Sequence, residues 1–303
     1  MNDHNNISAW LHAARPRTLP LALSSSLMGS FAALHDGRFR WNVFGLALLT
    51  TLFLQILSNL ANDYGDSVNG ADNAERVGPA RAVQSGAISA GTMKRAVVVT
   101  SVLAFISGIV LIGAGVGYTH WQPWLAFLAV GVVAILSAVF YTAGSNPYGY
   151  KGFGDLFVFL FFGIVAVCGT YYLHTGILRP AVLLPASVIG LLSTAVLNLN
   201  NMRDVEGDAK TGKRTMVVMM GSGMARIYHL LMIAGAMAAI LLWSFRHESS
   251  AASFIYLLVF PLLARHLVFV FRNKIPRELD SQLKFLALST FLLVILYGLG
   301  ILI

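Results

Sequence analysis

The 303-residue chain is 57% hydrophobic and 11% charged, with a formal net charge of +8 and a single cysteine, Cys168. Soluble domains carry roughly a quarter charged residues, so this composition excludes a soluble enzyme and a disordered chain, and one cysteine excludes a disulfide-stapled secreted fold. The basic excess in so apolar a chain fits anionic lipid headgroups or phosphates and not nucleic acid.

A bilayer core about 30 Å thick takes about 20 apolar residues per helix. Nine stretches approach that length, near residues 18–34, 41–61, 96–118, 122–141, 153–174, 180–199, 227–245, 252–271 and 283–303. The first is short and serine-rich. It follows Arg15 and Arg17 as a secretory signal does, but it starts late and no cleavage signal comes after it, so it reads as a retained span. Ahead of it, residues 7–14 with Trp10 read as an amphipathic helix lying on the membrane surface. With the N-terminus cytoplasmic, only Arg38, Arg40, Arg179 and Arg246 of the 21 basic residues fall outside, and the remainder lie inside. The expected fold class is all-α: a polytopic membrane protein of nine transmembrane helices, as one domain over residues 1–303.

The outer connections are short, whereas the inner segments 62–95 and 200–226 are long and rich in acids. They are expected to be loops that carry the chemistry. The second span ends in QILSNLANDYGDSVNGAD, where Asn59, Asn62, Asp63 and Asp66 stand at i, i+3, i+4 and i+7, one face of a helix, with Gln55 one turn earlier. The sixth ends in LNLNNMRDVEGDAKTGKRT, which places Asn198, Asn201, Asp204 and Asp208 on one side in the same way. Each motif closes the second helix of a four-helix unit, which suggests a duplication of spans one to four and five to eight with a ninth appended.

Carboxylates and amides in a bilayer are kept for a pathway or a site. Their oxygens are hard ligands suited to Mg²⁺ or Mn²⁺ bridging to phosphate, and no CxxC or HxxxH spacing offers a zinc site. Basic residues follow both faces: Arg76, Arg81, Lys94 and Arg95 after the first, and Arg203, Lys210, Lys213 and Arg214 in and after the second. Acids and bases mixed in one segment suit a polyanion held between metal ions and cations. The inner segment GSNPYGYKGFGD adds Lys151 and Asp155. His174, His229 and His266 read as packing residues. A secondary transporter also has repeats and polar helix breaks, but its acids belong at the midplane, whereas these lie at the ends of their spans.

Four segments in order, ARPRTLP at Ala14–Pro20, NDYGDSVNGADNAERVGPARAVQSGAIS at Asn62–Ser89, YTAGSNPYGYKGFGD at Tyr141–Asp155 and NLNNMRDVEGDAKTGKRT at Asn198–Thr215, resemble the UbiA-type intramembrane prenyltransferases. Within that family they resemble the branch that prenylates 1,4-dihydroxy-2-naphthoate in menaquinone synthesis. The resemblance implies a helix bundle around a lipid-accessible cavity in a bacterial inner membrane, capped on the cytoplasmic side by both acidic motifs. It implies polyprenyl diphosphate and dihydroxynaphthoate as substrates, prenyl transfer with decarboxylation, and Mg²⁺, with Mn²⁺ as a substitute. The family's NDxxDxxxD gives Asn62, Asp63 and Asp66, but Gly70 stands at the last position and Asp72 follows two residues on. DxxxD maps onto Asp204 and Asp208. The implied metal ligands are Asn62, Asp66, Asp72, Asp204 and Asp208; the diphosphate cations are Arg81, Lys151, Lys213 and Arg214, with Asp63 and Lys151 in catalytic roles. Arg76 and Arg15 are candidates for the acceptor carboxylate, and Phe140, Tyr141, Phe157 and Tyr171 are open possibilities for facing an allylic cation. Another aromatic acceptor, 4-hydroxybenzoate or homogentisate, remains the alternative within the family.

Overall fold

A computed structural model describes residues 3–70, 78, 81–247 and 250–303. The short helix α1 (Asp3–Ala14) is followed by α2 (Leu19–His35), α3 (Trp41–Val68), α4 (Ala90–Val116), α5 (Trp121–Phe140), α6 (Gly154–Thr175), α7 (Pro180–Lys210), α8 (Met216–His247), α9 (Ala251–Arg272) and α10 (Pro276–Leu302). The eight helices α3–α10 are long and apolar enough to cross a membrane, and α2 has 17 residues. Among the described residues the expected nine spans are therefore present and no strand occurs.

Several helices outrun the expected spans, α3, α7 and α8 by the most. α3 and the α-helical part of α7, Leu183–Lys210, each have 28 residues, or about 42 Å at 1.5 Å per residue. That exceeds the hydrocarbon core by about two turns. The acidic motifs therefore ride on rigid helix ends, where the sequence suggested loops. α8 starts at Met216, ahead of the expected 227, and is interrupted at Gly221 (φ 78°).

The apolar core has two main parts and a small third cluster of Val43, Ala47, Leu111 and Leu173. A large cluster joins α2 to α6–α10 through residues such as Met28, Ile189, Leu192, Ile233 and Leu286. A smaller one joins α1, α3, α4 and the segment after Arg81 through Ala13, Leu57, Ala82, Ile88 and Met93. α6 crosses α7 closely, because a Cβ at Gly163 would stand 2.7 Å from Gly190 Cα; small residues allow such approaches where no hydrophobic force drives helices together. Within α6, Phe159–Cys168 winds as a π-helix. α5 buries none of its residues, and exposed Leu125, Val133 and Leu136 on it, with Val99, Val102 and Ile106 on α4, form a surface suited to lipid. At the end of the bundle away from the acidic motifs, Arg40 donates to the Ala114 and Gly115 carbonyls at 2.5 and 3.0 Å, satisfying acceptors that the C-terminus of α4 leaves open.

Candidate active site

The two halves of the core part around a cavity of about 650 Å³, walled by the ends of α3, α7 and α10, by α1 and by residues 141–150. Asp63 and Asp66 enter it from α3, and Asp204 and Asp208 from α7. The two acidic faces thus meet in one space.

Asp66 is buried and fully engaged. Arg81 Nη2 lies 2.6 Å from its Oδ2; Tyr150 Oη and Lys213 Nζ donate to Oδ1 at 2.5 and 3.2 Å. Lys213 also lies 3.8 Å from Asp208 Oδ1 and 4.6 Å above the Tyr150 ring, so one ammonium spans both motifs. Arg81 is held in turn by the Asn62 carbonyl. Asn62 accepts from Thr142 Oγ1 at 3.1 Å. Between Asp63 and Asp66, Gly65 packs against the 142–143 backbone, where a Cβ would stand 2.6 Å from Thr142 C and Oγ1. No other residue fits that approach without displacing the segment that carries Tyr150.

Asp63 has a different place. Its carboxylate accepts from the Ala82 and Val83 amides at 3.0 and 3.2 Å and so ties the Arg81 segment to α3. Asn59 and Gln55, on the same predicted face, donate to Thr18 Oγ1 at 3.0 and 3.3 Å, and Asn59 also donates to the Ala14 carbonyl at 2.8 Å. They anchor the turn between α1 and α2.

On α7, Asn201, Asp204 and Asp208 face the cavity. Arg203 grips Asp204 in a fork, Nε to Oδ1 at 2.8 Å and Nη2 to Oδ2 at 2.6 Å. Asn198 turns away and donates to the Ala225 carbonyl at 3.1 Å, next to His229. Ten residues separate Asn198 from Asp208, and at 3.6 residues per turn they diverge by about 80°.

Several expected residues lie elsewhere. Lys151 and Arg214 are exposed and do not line the cavity; the 3₁₀ turn Tyr148–Lys151 aims Tyr150 inward in place of Lys151. Arg214 contributes its amide, which donates to the Tyr150 carbonyl at 2.8 Å. Phe140 is exposed, and Tyr171 is buried and donates to Asp36 at the end of the bundle away from the acidic motifs. Asp72 and Arg76 lie outside the described residues. The cavity also draws in Tyr150, Lys284, Arg17 and the α1 residues Ser8 and His12, none of which has a spacing that marks it.

A second cavity of about 340 Å³ adjoins the first and shares Gln55, Asn62, Tyr141, Val158, Phe162 and Leu197 with it. Its wall is mostly apolar and runs along α3, α5 and α6 towards Leu111 and Leu173. Phe157 and Phe161 line it, and Tyr141 stands at the junction. Burial, and then the negative charge of Asp155, push the Tyr141 phenol well above its ordinary range, so it stands there as a neutral hydroxyl.

The donor set fits a divalent cation that shares its sphere with phosphate. Lys213 already places positive charge between Asp66 and Asp208, and the oxygens are hard. Among the described residues no three His, Cys, Asp or Glu side chains form a cage by themselves, and Mg²⁺ characteristically takes one or two carboxylates and completes its shell with water and phosphate.

The family model of the UbiA prenyltransferase family matches residues 22–297. The chain is 43% identical to the 1,4-dihydroxy-2-naphthoate octaprenyltransferase of Haemophilus influenzae, over 99% of this chain and 97% of that one. Among solved structures, it superposes on a UbiA homolog from Aeropyrum pernix with a TM-score of 0.66 at 17% identity, over 90% of this chain and 96% of the other. It also matches a UbiA homolog from Archaeoglobus fulgidus bound to DMAPP and Mg²⁺, with a TM-score of 0.54 at 16% identity, over 94% and 99%. The chain is a member of the UbiA prenyltransferase family.

Proposed function

We propose that this chain transfers a polyprenyl group from its diphosphate to 1,4-dihydroxy-2-naphthoate, with loss of the acceptor carboxylate as CO₂, yielding diphosphate and the prenylated hydroquinone, demethylmenaquinol, the reduced form of demethylmenaquinone. The observation that carries this reading is the junction itself: carboxylates from two helices and a bridging Lys213 in a polar cavity that continues into an apolar one. A diphosphate and an isoprenoid are joined end to end in the same manner. The relative in Haemophilus influenzae supplies the acceptor.

Asp66, Asp204, Asp208 and Asn62 would hold Mg²⁺, or Mn²⁺ in its place, with Asp72 as a further ligand. Bound there, the cation neutralises charge that grows on the diphosphate as the allylic C–O bond breaks. Arg81 and Lys213, which pair with Asp66 in the structure, would supply positive charge to the phosphate oxygens. Asp63 positions Arg81. Apolar walls keep water from the allylic cation, and the faces of Phe157 and Phe161 favour it. The apolar cavity is too small for a long polyprenyl chain, and the distal isoprenes leave between α5 and α6, which make close contacts with other helices in preference to each other. Of the two candidates for the acceptor carboxylate, Arg15 lines the cavity and Arg76 lies outside the described residues. The membrane is the bacterial inner membrane, with the N-terminus and the polar cavity on the cytoplasmic side, in keeping with the distribution of basic residues.

The test is mass spectrometry of lipid products from membranes given one prenyl diphosphate and, separately, dihydroxynaphthoate, 4-hydroxybenzoate or homogentisate. Prenylated, decarboxylated naphthoate as the main product is expected. Preference for either other acceptor overturns the assignment, and substrate uptake with no product mass points to a transporter.

A further inference from the structure

Arg203 is buried to 1% exposure and each of its guanidinium nitrogens is in use. Nε and Nη2 hold Asp204, Nη2 also reaches Asn200 Oδ1 at 2.9 Å, and Nη1 donates to Asp280 Oδ1 at 2.5 Å. Asp280, near the start of α10, accepts from Arg17 Nη1 at 3.2 Å through its other oxygen. Four charges of alternating sign thus run from the second acidic motif to the segment between α1 and α2. A carboxylate gripped on both oxygens by one arginine has little charge left for a metal ion. A second carboxylate on the same arginine draws part of that positive charge away. We propose that Asp280 is a positioning residue that sets the cation affinity of the second acidic motif by sharing Arg203 with Asp204.

The inference rests on the functional reading above. Asp280 does not line the cavity and acts only through Arg203. Replacing it by Asn leaves the whole charge of a buried guanidinium on Asp204, whereas replacing Arg17 frees Asp280 to pull harder on Arg203. Opposite shifts from the two ends of one chain are the signature, since general loosening of the bundle would weaken binding in both.

The experiment is Mn²⁺ binding by electron paramagnetic resonance to the purified full chain in lipid nanodiscs with inorganic diphosphate present. Asp280→Asn is expected to bind Mn²⁺ about tenfold more weakly, the range found for residues that orient metal ligands, and Asp280→Glu to recover it. Glu206→Gln removes the same charge from an exposed position on α7 outside the cavity and is expected to bind as the wild type does. In turnover, Asp280→Asn should raise the Mg²⁺ needed for half-activity by a similar factor with kcat at saturating Mg²⁺ retained. Wild-type affinity in Asp280→Asn, or equal weakening in Glu206→Gln, overturns the proposal. Should Asp280→Asn not fold, the double variant Arg17→Gln/Asp280→Asn is compared with Arg17→Gln, which holds constant the loss of the Arg17 charge from the cavity wall: weaker Mn²⁺ binding in the double variant supports the proposal, and equal or tighter binding overturns it. Wild-type turnover that survives complete chelation overturns instead the metal-dependent reading on which the proposal stands.

Discussion

Asp66 is 2% exposed and surrounded by Arg81, Tyr150 and Lys213, while Asp204 and Asp208 are 15% and 13% exposed at the cavity wall. Both motifs lie on the last turns of 28-residue helices, yet one is embedded in partners and the other is open. The difference assigns separate tasks. In the first motif, Asp63 and Gly65 build the wall and leave Asp66 as the carboxylate at the centre of the cavity's ion pairs. In the second, a single arginine restrains Asp204, and Asp208 meets Lys213 from across the cavity.

Removing either inward carboxylate gives the largest effect: Asp66→Ala and Asp208→Ala are each expected to lower Mg²⁺-dependent turnover by about 10³-fold or more with the fold retained, since each takes away transition-state charge stabilisation. Near wild-type product formation in both would remove the metal assignment. Chelation of the wild type with EDTA should stop turnover as completely, and added Mg²⁺ or Mn²⁺ should restore it. The wall residues respond in stability first. Asp63→Ala leaves two amides unpaired and should destabilise the protein by about 3 kcal/mol, read as a lowered Tm, with Arg81 displaced and activity falling in consequence. Gly65→Ala, by forcing the 142–143 backbone away, should cost about 1–3 kcal/mol and release Tyr150 from Asp66. Lys151→Ala is the smallest: an exposed side chain outside the cavity should leave kcat/KM within about twofold. A large loss there would show that the turn at 148–151 rearranges around substrate.

The spans and both motifs are legible in the sequence because hydropathy and helical spacing are local properties. The wall of the site is not. Arg203 and Asp204 are adjacent on one helix, where side chains ordinarily diverge, and only the long arm of arginine folds back far enough to join them. Asp280 sits beside a helix start and reads there as an acid placed for the helix dipole; its partner Arg203 is 77 residues away. Tyr150 and Lys151 are neighbours whose inward and outward aims depend on the phase of one 3₁₀ turn, which spacing alone does not define. Asn198 drops from its predicted face because its six-residue offset from Asp204 turns it about 120° around the helix, wider than a face of about 100°.

The π-helical stretch in α6 governs what the apolar cavity presents along its length. Phe157, Phe161, Val165 and Gly169 line it, as do Val158, Phe162, Ala166 and Thr170, two rows with a step of four residues. In an α-helix each such step drifts by about 40°, which would carry the rows out of the lumen after three. The i→i+5 bonding of Phe159–Cys168 winds more slowly and turns the drift back. The result is a straight rail, with depth graduated in steps of four residues. The first row continues past Gly169 to Leu173, and at Gly169 a Cβ meets Phe127 at ordinary contact, 3.5 Å away. Bulky rings stand at Phe157, Phe161 and Phe162 and small side chains at Ala166, Gly169 and Thr170, so one wall of the cavity passes from aromatic near Tyr141 to small-residue farther in.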